Sequence, residues 1–283
     1  MPTTDMRTRV DDLLTHIESR RGQGEIDLAT IEARKQEEMQ FHDRYRDHSQ
    51  LENIDQDTFD MIYGNKRFYS ITESSSSYVA DWISSNAKDK IFLDYACGDG
   101  VNSQLAARSG TALAVGIDLS AVSVNNAAEA AKVAGLENTA FLQADCENTG
   151  FPDSTFDTVI CSGVLHHMDL SYAFPELRRI LAPGGKVLCV EALSINPVIQ
   201  WYRNRTPAMR TAWETEHILG PKDLKFAERF FKIGELKYWH LSSMAAAYQP
   251  KLLPSLNKID SALLRIPGIQ KLAWIFTFEL IRD

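Results

Sequence analysis

Ile91-Phe92-Leu93-Asp94-Tyr95-Ala96-Cys97-Gly98-Asp99-Gly100 is the stretch on which the fold turns. A short apolar run closed by glycines reads as a buried strand rather than a helix. The glycines permit a tight turn and let a ligand approach the backbone closely. Asn102–Ser109, immediately after, reads as a helix. Strand, glycine turn and helix in that order form a nucleotide-binding corner, with the ligand at the carboxyl ends of the strands.

The same alternation continues down the chain. Strands are expected at Ala112–Ile117, Thr139–Gln143, Phe156–Ser162 and Lys186–Glu191, with helices at Ala121–Ala134 and Tyr172–Leu181. Strands alternating with helices imply parallel pairing through right-handed crossovers, hence a doubly wound, Rossmann-like α/β sheet. Four units follow from the pattern: an N-terminal arm over residues 1–72, a core over 73–193, an insertion over 194–234 and a closing segment over 235–283. The arm reads as a polar, frayed or weakly helical stretch over 1–24, exposed helices over Asp27–Arg46 and a short helical region over Asp55–Tyr69. Ser74-Ser75-Ser76-Ser77 starts a helix, because Ser caps helix N-termini and Tyr78, Val79, Trp82 and Ile83 follow at helical spacing. The insertion is aromatic and basic, with Trp201, Tyr202, Arg203, Arg205, Arg210, Trp213 and His217, and Pro221–Phe231 reads as a helix. Glu235–Leu241 and Trp274–Ile281 read as the last strands. Leu252–Ile269, interrupted by Pro254 and Pro267, is expected as a helix packed on the sheet.

The chain has 283 residues, 44% hydrophobic and 24% charged, and a core of that size needs neither disulfides nor metals. Its net charge of −8, with no basic stripe, argues against a nucleic-acid partner and for a small-molecule one. Cys97, Cys146, Cys161 and Cys189 form no CxxC pair and no metal-ligand spacing accompanies them, so no metal is expected. They suit buried strand ends in a reducing, cytoplasmic setting. Met1–Arg21 lacks the apolar core of a secretion signal. No stretch approaches the ~18–20 apolar residues of a membrane span, so no membrane partner is expected.

Three acids sharpen the reading of the corner. A diphosphate loop runs G-x-G-x-x-G, whereas Gly98-Asp99-Gly100-Val101-Asn102-Ser103 ends in Ser. Asp94 and Asp99 flank the turn; acids there repel a diphosphate and suit a ligand with an ammonium group. S-adenosylmethionine (SAM), with an amino-acid tail and a sulfonium, is such a ligand. Asp94 would hold the ammonium directly or through water. Asp118, in Gly116-Ile117-Asp118-Leu119-Ser120, suits a bidentate contact to the ribose hydroxyls, while Ser120 caps the next helix. Asp145, in Gln143-Ala144-Asp145-Cys146, suits the adenine amino group, with the next backbone N–H reaching a ring nitrogen.

These segments, with Phe156-Asp157-Thr158-Val159, Val164-Leu165-His166-His167 and Leu181-Ala182-Pro183-Gly184-Gly185, resemble the class I SAM-dependent methyltransferases of the small-molecule type. The resemblance covers residues 73–193 strongly. Ala96 stands where the usual loop has its first glycine. The resemblance implies seven strands in the order 3-2-1-4-5-7-6 with the last antiparallel, SAM as cofactor, and S-adenosylhomocysteine as product. It implies cofactor contacts from Asp94, Ala96, Cys97, Gly98, Gly100, Asp118, Leu119, Asp145, Cys146 and Ser162. It also implies a lid of N-terminal helices, with Tyr45 or Tyr69 touching SAM, and an insertion that roofs the acceptor pocket.

Methyl transfer from a sulfonium is an in-line displacement, in which the protein aligns the nucleophile and excludes water. A base helps when the acceptor is a phenol, an alcohol or an ammonium. The resemblance points to His166 as the side chain facing the acceptor; Glu191, at the end of the fifth strand, would orient a base or an acceptor amine. His217 is the candidate from the insertion, whose aromatic residues suit a flat or amphipathic acceptor. Two rival readings remain. A nicotinamide-dependent oxidoreductase requires the missing third glycine. A non-catalytic subunit of the same fold would show decay of the acids, which are intact.

Overall fold

The computed structural model describes residues 4–24, 26, 30–46, 66–206 and 209–283, without the side chains of Tyr45, Lys66 and Arg67. Its centre is a seven-stranded sheet: β1 (Ile91–Tyr95), β2 (Leu113–Asp118), β3 (Thr139–Gln143), β4 (Phe156–Ser162), β5 (Leu181–Ala192), β6 (Lys232–Trp239) and β7 (Ile275–Ile281). The order is β3-β2-β1-β4-β5-β7-β6, with β1 to β5 parallel and β7 antiparallel to both its neighbours, as the resemblance implies.

Every residue of β1 and β2 is buried. Parallel strands covered by helices on both faces lose the polar alternation of an exposed sheet, so they read as continuous apolar runs. β1 is central, with Asp94 opposite Gly116 of β2 and Ile160 of β4. The strand order reverses between β1 and β4, and a crevice opens at their carboxyl ends. The registers bring Asp94 and Asp118 to one edge, with Asp145 just beyond β3.

Several boundaries shift for physical reasons. β5 starts at Leu181, which pairs with Phe156 before the register breaks, and pairing resumes at Lys186. Pro183-Gly184-Gly185, ahead of the strand expected at Lys186–Glu191, is thus an excursion within β5. The four serines lie inside the helix Glu73–Ala87, not at its cap: Thr72 is the cap, without a side-chain bond. The helix Leu253–Leu263 packs on the turn Ser243–Ala247 rather than on the sheet. Asp260 holds it there, accepting from the backbone N–H groups of Leu241, Ser242 and Ser243. The expected helix over Asp55–Tyr69 lies outside the described residues except for Lys66–Tyr69, which is helical. All four cysteines are buried. No described helix is long and apolar enough to cross a membrane.

The largest departure is at the N-terminus. The segment expected to fray is an 18-residue helix, α1 (Thr4–Arg21), with Leu13 and Ile17 in the main core. Polar bonds lock it down: Arg9 donates to Asp157 at 2.9 Å, Arg20 to the Thr149 carbonyl, and Arg21 to the Phe141 carbonyl at 2.6 Å. A second helix, α2 (Ala33–Arg46), follows. Ile17→Ala is expected to cost about 2–5 kcal/mol in urea unfolding, the range for truncating a fully buried aliphatic side chain. A change below about 0.5 kcal/mol, the size of an ordinary surface substitution, would show that α1 is not part of the core.

Candidate active site

The turn after β1 is held from beneath. Asp94 is fully buried, and its Oδ2 accepts from both the backbone N–H and the hydroxyl of Ser103, each at 2.9 Å. The carboxylate therefore ties the end of β1 to the first turn of the next helix, whose cap, Gly100, has φ +74°. A side chain at Gly100 would also collide with the Ala127 methyl, 2.8 Å from the Cβ position. Ala96 takes φ +58° without being glycine, a conformation that costs an L-residue roughly 1–2 kcal/mol. The Asp94–Ser103 bonds hold the loop at the end of β1.

Asp118 closes the turn from the other side. Its Oδ2 accepts from Gly98 N–H at 3.0 Å and its Oδ1 from Ser120 N–H at 2.9 Å. Ser120 caps the helix Ala121–Val133 by accepting from Ser123 N–H, as the sequence suggests. Asp145 accepts from Glu147 N–H at 2.9 Å. Cys97 donates its N–H to the Ile117 carbonyl, and Ala144 to that of Asp118, so the three strand ends form one connected rim.

Helix α2 lies across this rim with a basic residue on two of the acids. Lys35 Nζ is 2.7 Å from Asp145 and 2.8 Å from Glu147. Arg34 holds Glu147 with two bonds of 2.7 and 2.9 Å. At the far end Arg46 lies 3.6 Å from Asp118 and donates to the Ser123 hydroxyl at 2.7 Å. Asp43 accepts from the Ser120 hydroxyl. The sequence reading found the acids but not these partners, which no local pattern signals. Tyr45 belongs to α2, but its side chain lies outside the described residues.

Beside the rim lies a cavity of about 1160 Å³. Its floor includes Asn102, Ser162 and Gly163, and its walls include Tyr69, His166, His167, Glu191, Arg203 and Trp274. Glu191 is buried, and its Oε1 accepts from the N–H groups of Val164 and Leu165 at 2.9 and 2.8 Å. Its Oε2 lies 2.6 Å from His166 Nδ1. A carboxylate that already accepts two backbone N–H groups is an acceptor here too, so Nδ1 is the donor in this pair. His166 and Glu191 thus meet, and both line the cavity.

His167 Nδ1 lies 2.8 Å from Glu38 Oε2 without hydrogen-bond geometry, and the His42 ring packs edge-on against His167. Burial, with His167 and Arg46 near, pushes the His42 imidazole well below its ordinary pKa. The sequence spacing suggests no metal ligands. Among the described residues, however, Glu38, His42 and His167, and likewise His166, His167 and Glu214, come close enough to share one ion.

His217 does not join this group. It stacks on Trp213 at 3.7 Å, bonds the Trp213 carbonyl through Nδ1, and lines a separate small pocket of about 250 Å³. The stacking that draws it to Trp213 turns it away from the expected place in the acceptor site. Tyr69 lies on Trp274, on the side of the cavity near Arg203 and Arg210.

Burial pushes the Asp94 carboxyl up to about 7, against the pull of its Ser103 bonds. The folded protein then holds this proton more tightly than the unfolded chain, whose Asp titrates at about 4. Asp94 therefore makes the fold lose stability as pH rises from about 4 to about 7. Asp94→Asn should show a flatter pH profile of urea midpoints across that window than the wild type. Parallel profiles would contradict the assignment.

Residues 93–189 match a methyltransferase domain family. A fatty-acid O-methyltransferase of Mycolicibacterium smegmatis is 29% identical over 126 residues, 42% of this chain and 43% of that protein. A demethylmenaquinone methyltransferase of Thermus thermophilus is 38% identical over 104 residues, 36% of this chain and 47% of that protein. The chain thus spans about half or less of the length of the curated relatives it matches. A geranyl diphosphate methyltransferase solved with geranyl diphosphate and sinefungin superposes with TM-score 0.53 at 14% identity, covering 73% of this chain and 78% of that one. The [4+2]-cyclase SpnF superposes with TM-score 0.51 at 21% identity, covering 73% and 80%, so the fold alone does not fix a reaction. The matched domain, the strand order and the relatives support a class I SAM-dependent methyltransferase.

Proposed function

We propose that the protein transfers the methyl group of SAM to a small, apolar or amphipathic acceptor held in the 1160 Å³ cavity. The observation that carries this reading is the His166–Glu191 pair, which lines that cavity beside the SAM-binding rim. A cavity of this size with aromatic walls suits a metabolite rather than a macromolecule. The relatives named for a fatty acid and for geranyl diphosphate support an acceptor with an apolar body.

The residues at the rim fit the cofactor. Gly98 and Gly100 adopt positive φ, which lets a ligand approach the backbone. Asp118 and Asp145 present acids where the ribose and the adenine amino group would bind, and Ala96, Cys97, Leu119, Cys146 and Ser162 supply the surrounding wall. When bound, SAM supplies an electrophilic methyl on a sulfonium. Residues 73–193 form the cofactor core, 194–234 the acceptor roof, and 235–283 the completion of the sheet. Residues 1–72 include the lid: α2 swings off the rim for SAM to reach it, exchanging the contacts of Arg46 and Lys35 for cofactor contacts.

On the acceptor side, Glu191 fixes the tautomer and orientation of His166. Nε2 would accept the proton of an acceptor hydroxyl or ammonium as its oxygen or nitrogen attacks the methyl carbon, the C–S bond breaking with its electron pair left on the sulfur of S-adenosylhomocysteine. The walls hold the nucleophile in line and keep water out. With methyl-labelled SAM and an extract of host metabolites, His166→Gln should transfer label roughly 10²–10⁴-fold more slowly, the usual contribution of a general base. Its affinity for SAM should match the wild type. Label transfer at the full rate would remove the base role.

A further inference from the structure

The cavity is lined by a buried cation, Arg203, that forms no ion pair among the described residues. Arg203 sits in the helix Pro197–Arg205, lines the cavity, and is only 7% exposed. Its Nη1 is shut off from water and has no hydrogen-bond partner among the described residues. The neighbouring Arg210 is already engaged. It donates to the carbonyl and hydroxyl of Thr206 at 3.1 and 3.0 Å and pairs with Glu214 at 3.4 Å. Glu214 attracts Arg203 without forming an ion pair with it. One carboxylate therefore serves two guanidinium groups.

Burial, with Arg210 adding to it, pushes the Arg203 pKa down to about 10, so the group stays charged at neutral pH. An arginine cannot shed its charge as a buried lysine does. A buried, unpaired charge is a liability to the fold, and it is relieved when a ligand brings the opposite charge. The wall near this cation is aromatic. Phe68 packs edge-on to Tyr202, Tyr248 and Trp274, with ring centroids 5.7, 6.0 and 6.3 Å apart.

We infer that the cavity selects an amphipathic ligand carrying one anionic group, a carboxylate or a phosphate, which pairs with the Arg203 guanidinium while its apolar body lies on the Phe68–Trp274 wall. This rests on reading the cavity as the acceptor site. A fork of N–H donors matches both kinds of oxyanion.

Calorimetry with octanoate, octyl phosphate, octan-1-ol and octylammonium tests the inference on the full chain, because the four share a tail and differ in the head. At least one anion should bind roughly 10–100-fold more tightly than octan-1-ol and octylammonium, the effect of a hydrogen-bonded charge pair. The tighter of the two anions identifies the head group. Arg203→Met should erase that preference, and Arg203→Lys should keep part of it. Arg203→Met should also unfold at an unchanged or higher urea concentration, since no internal partner is lost. Equal binding of all four probes, a preference that survives Arg203→Met, or a lowered midpoint in that variant would each overturn the inference. SAM binding measured on the same samples keeps the two readings apart. Its loss alongside an intact anion preference would refute the methyltransferase reading and leave this one standing.

Discussion

The buried carboxylate of Asp94 is the constraint from which the site follows. It accepts two bonds from Ser103 and so welds the end of β1 to the helix beyond the turn. With that link in place the chain between them is held to a few residues, two of them glycines in the left-handed region. Asp118 braces the same turn from β2 by accepting from Gly98. Because β1 is central, fixing its end also fixes the rim shared with β2, β3 and β4. The cavity opens beside that rim.

The carboxylates differ in what engages them. Asp94 and Glu191 are spent on backbone N–H groups and neighbouring side chains, and their work is positional. Asp145 gives one oxygen to Glu147 N–H and the other to Lys35 of α2, whereas both oxygens of Asp118 accept backbone N–H groups and Arg46 lies 3.6 Å from one of them. Through these contacts α2 covers the rim.

The sheet was legible because its strands are short apolar runs between turn-forming residues, and because a buried parallel sheet imposes that pattern. Ser120 was legible as a cap because capping is local. The N-terminal helix was hidden: only Leu13 and Ile17 of its 18 residues are buried, so its composition looks like that of a frayed arm. Its anchors, Asp157, Thr149 and Phe141, lie far along the chain. The place of His217 was hidden for a related reason. Its stacking on Trp213 is a contact one helical turn away, and the sequence shows the proximity without showing which way the pair faces. Arg203 stood in view within a basic, aromatic stretch, but only the fold reveals that its Nη1 is buried without a partner among the described residues.

The central claim is that the carboxyl rim of β1, β2 and β3 binds SAM. Calorimetric titration of the wild type and Asp118→Ala with SAM and with NADH tests it most directly. The account predicts that SAM binds the wild type, that the variant loses roughly tenfold or more in affinity as two charged hydrogen bonds to the ribose disappear, and that NADH binds neither. Binding of NADH without binding of SAM, or equal SAM affinity in both proteins, would contradict it.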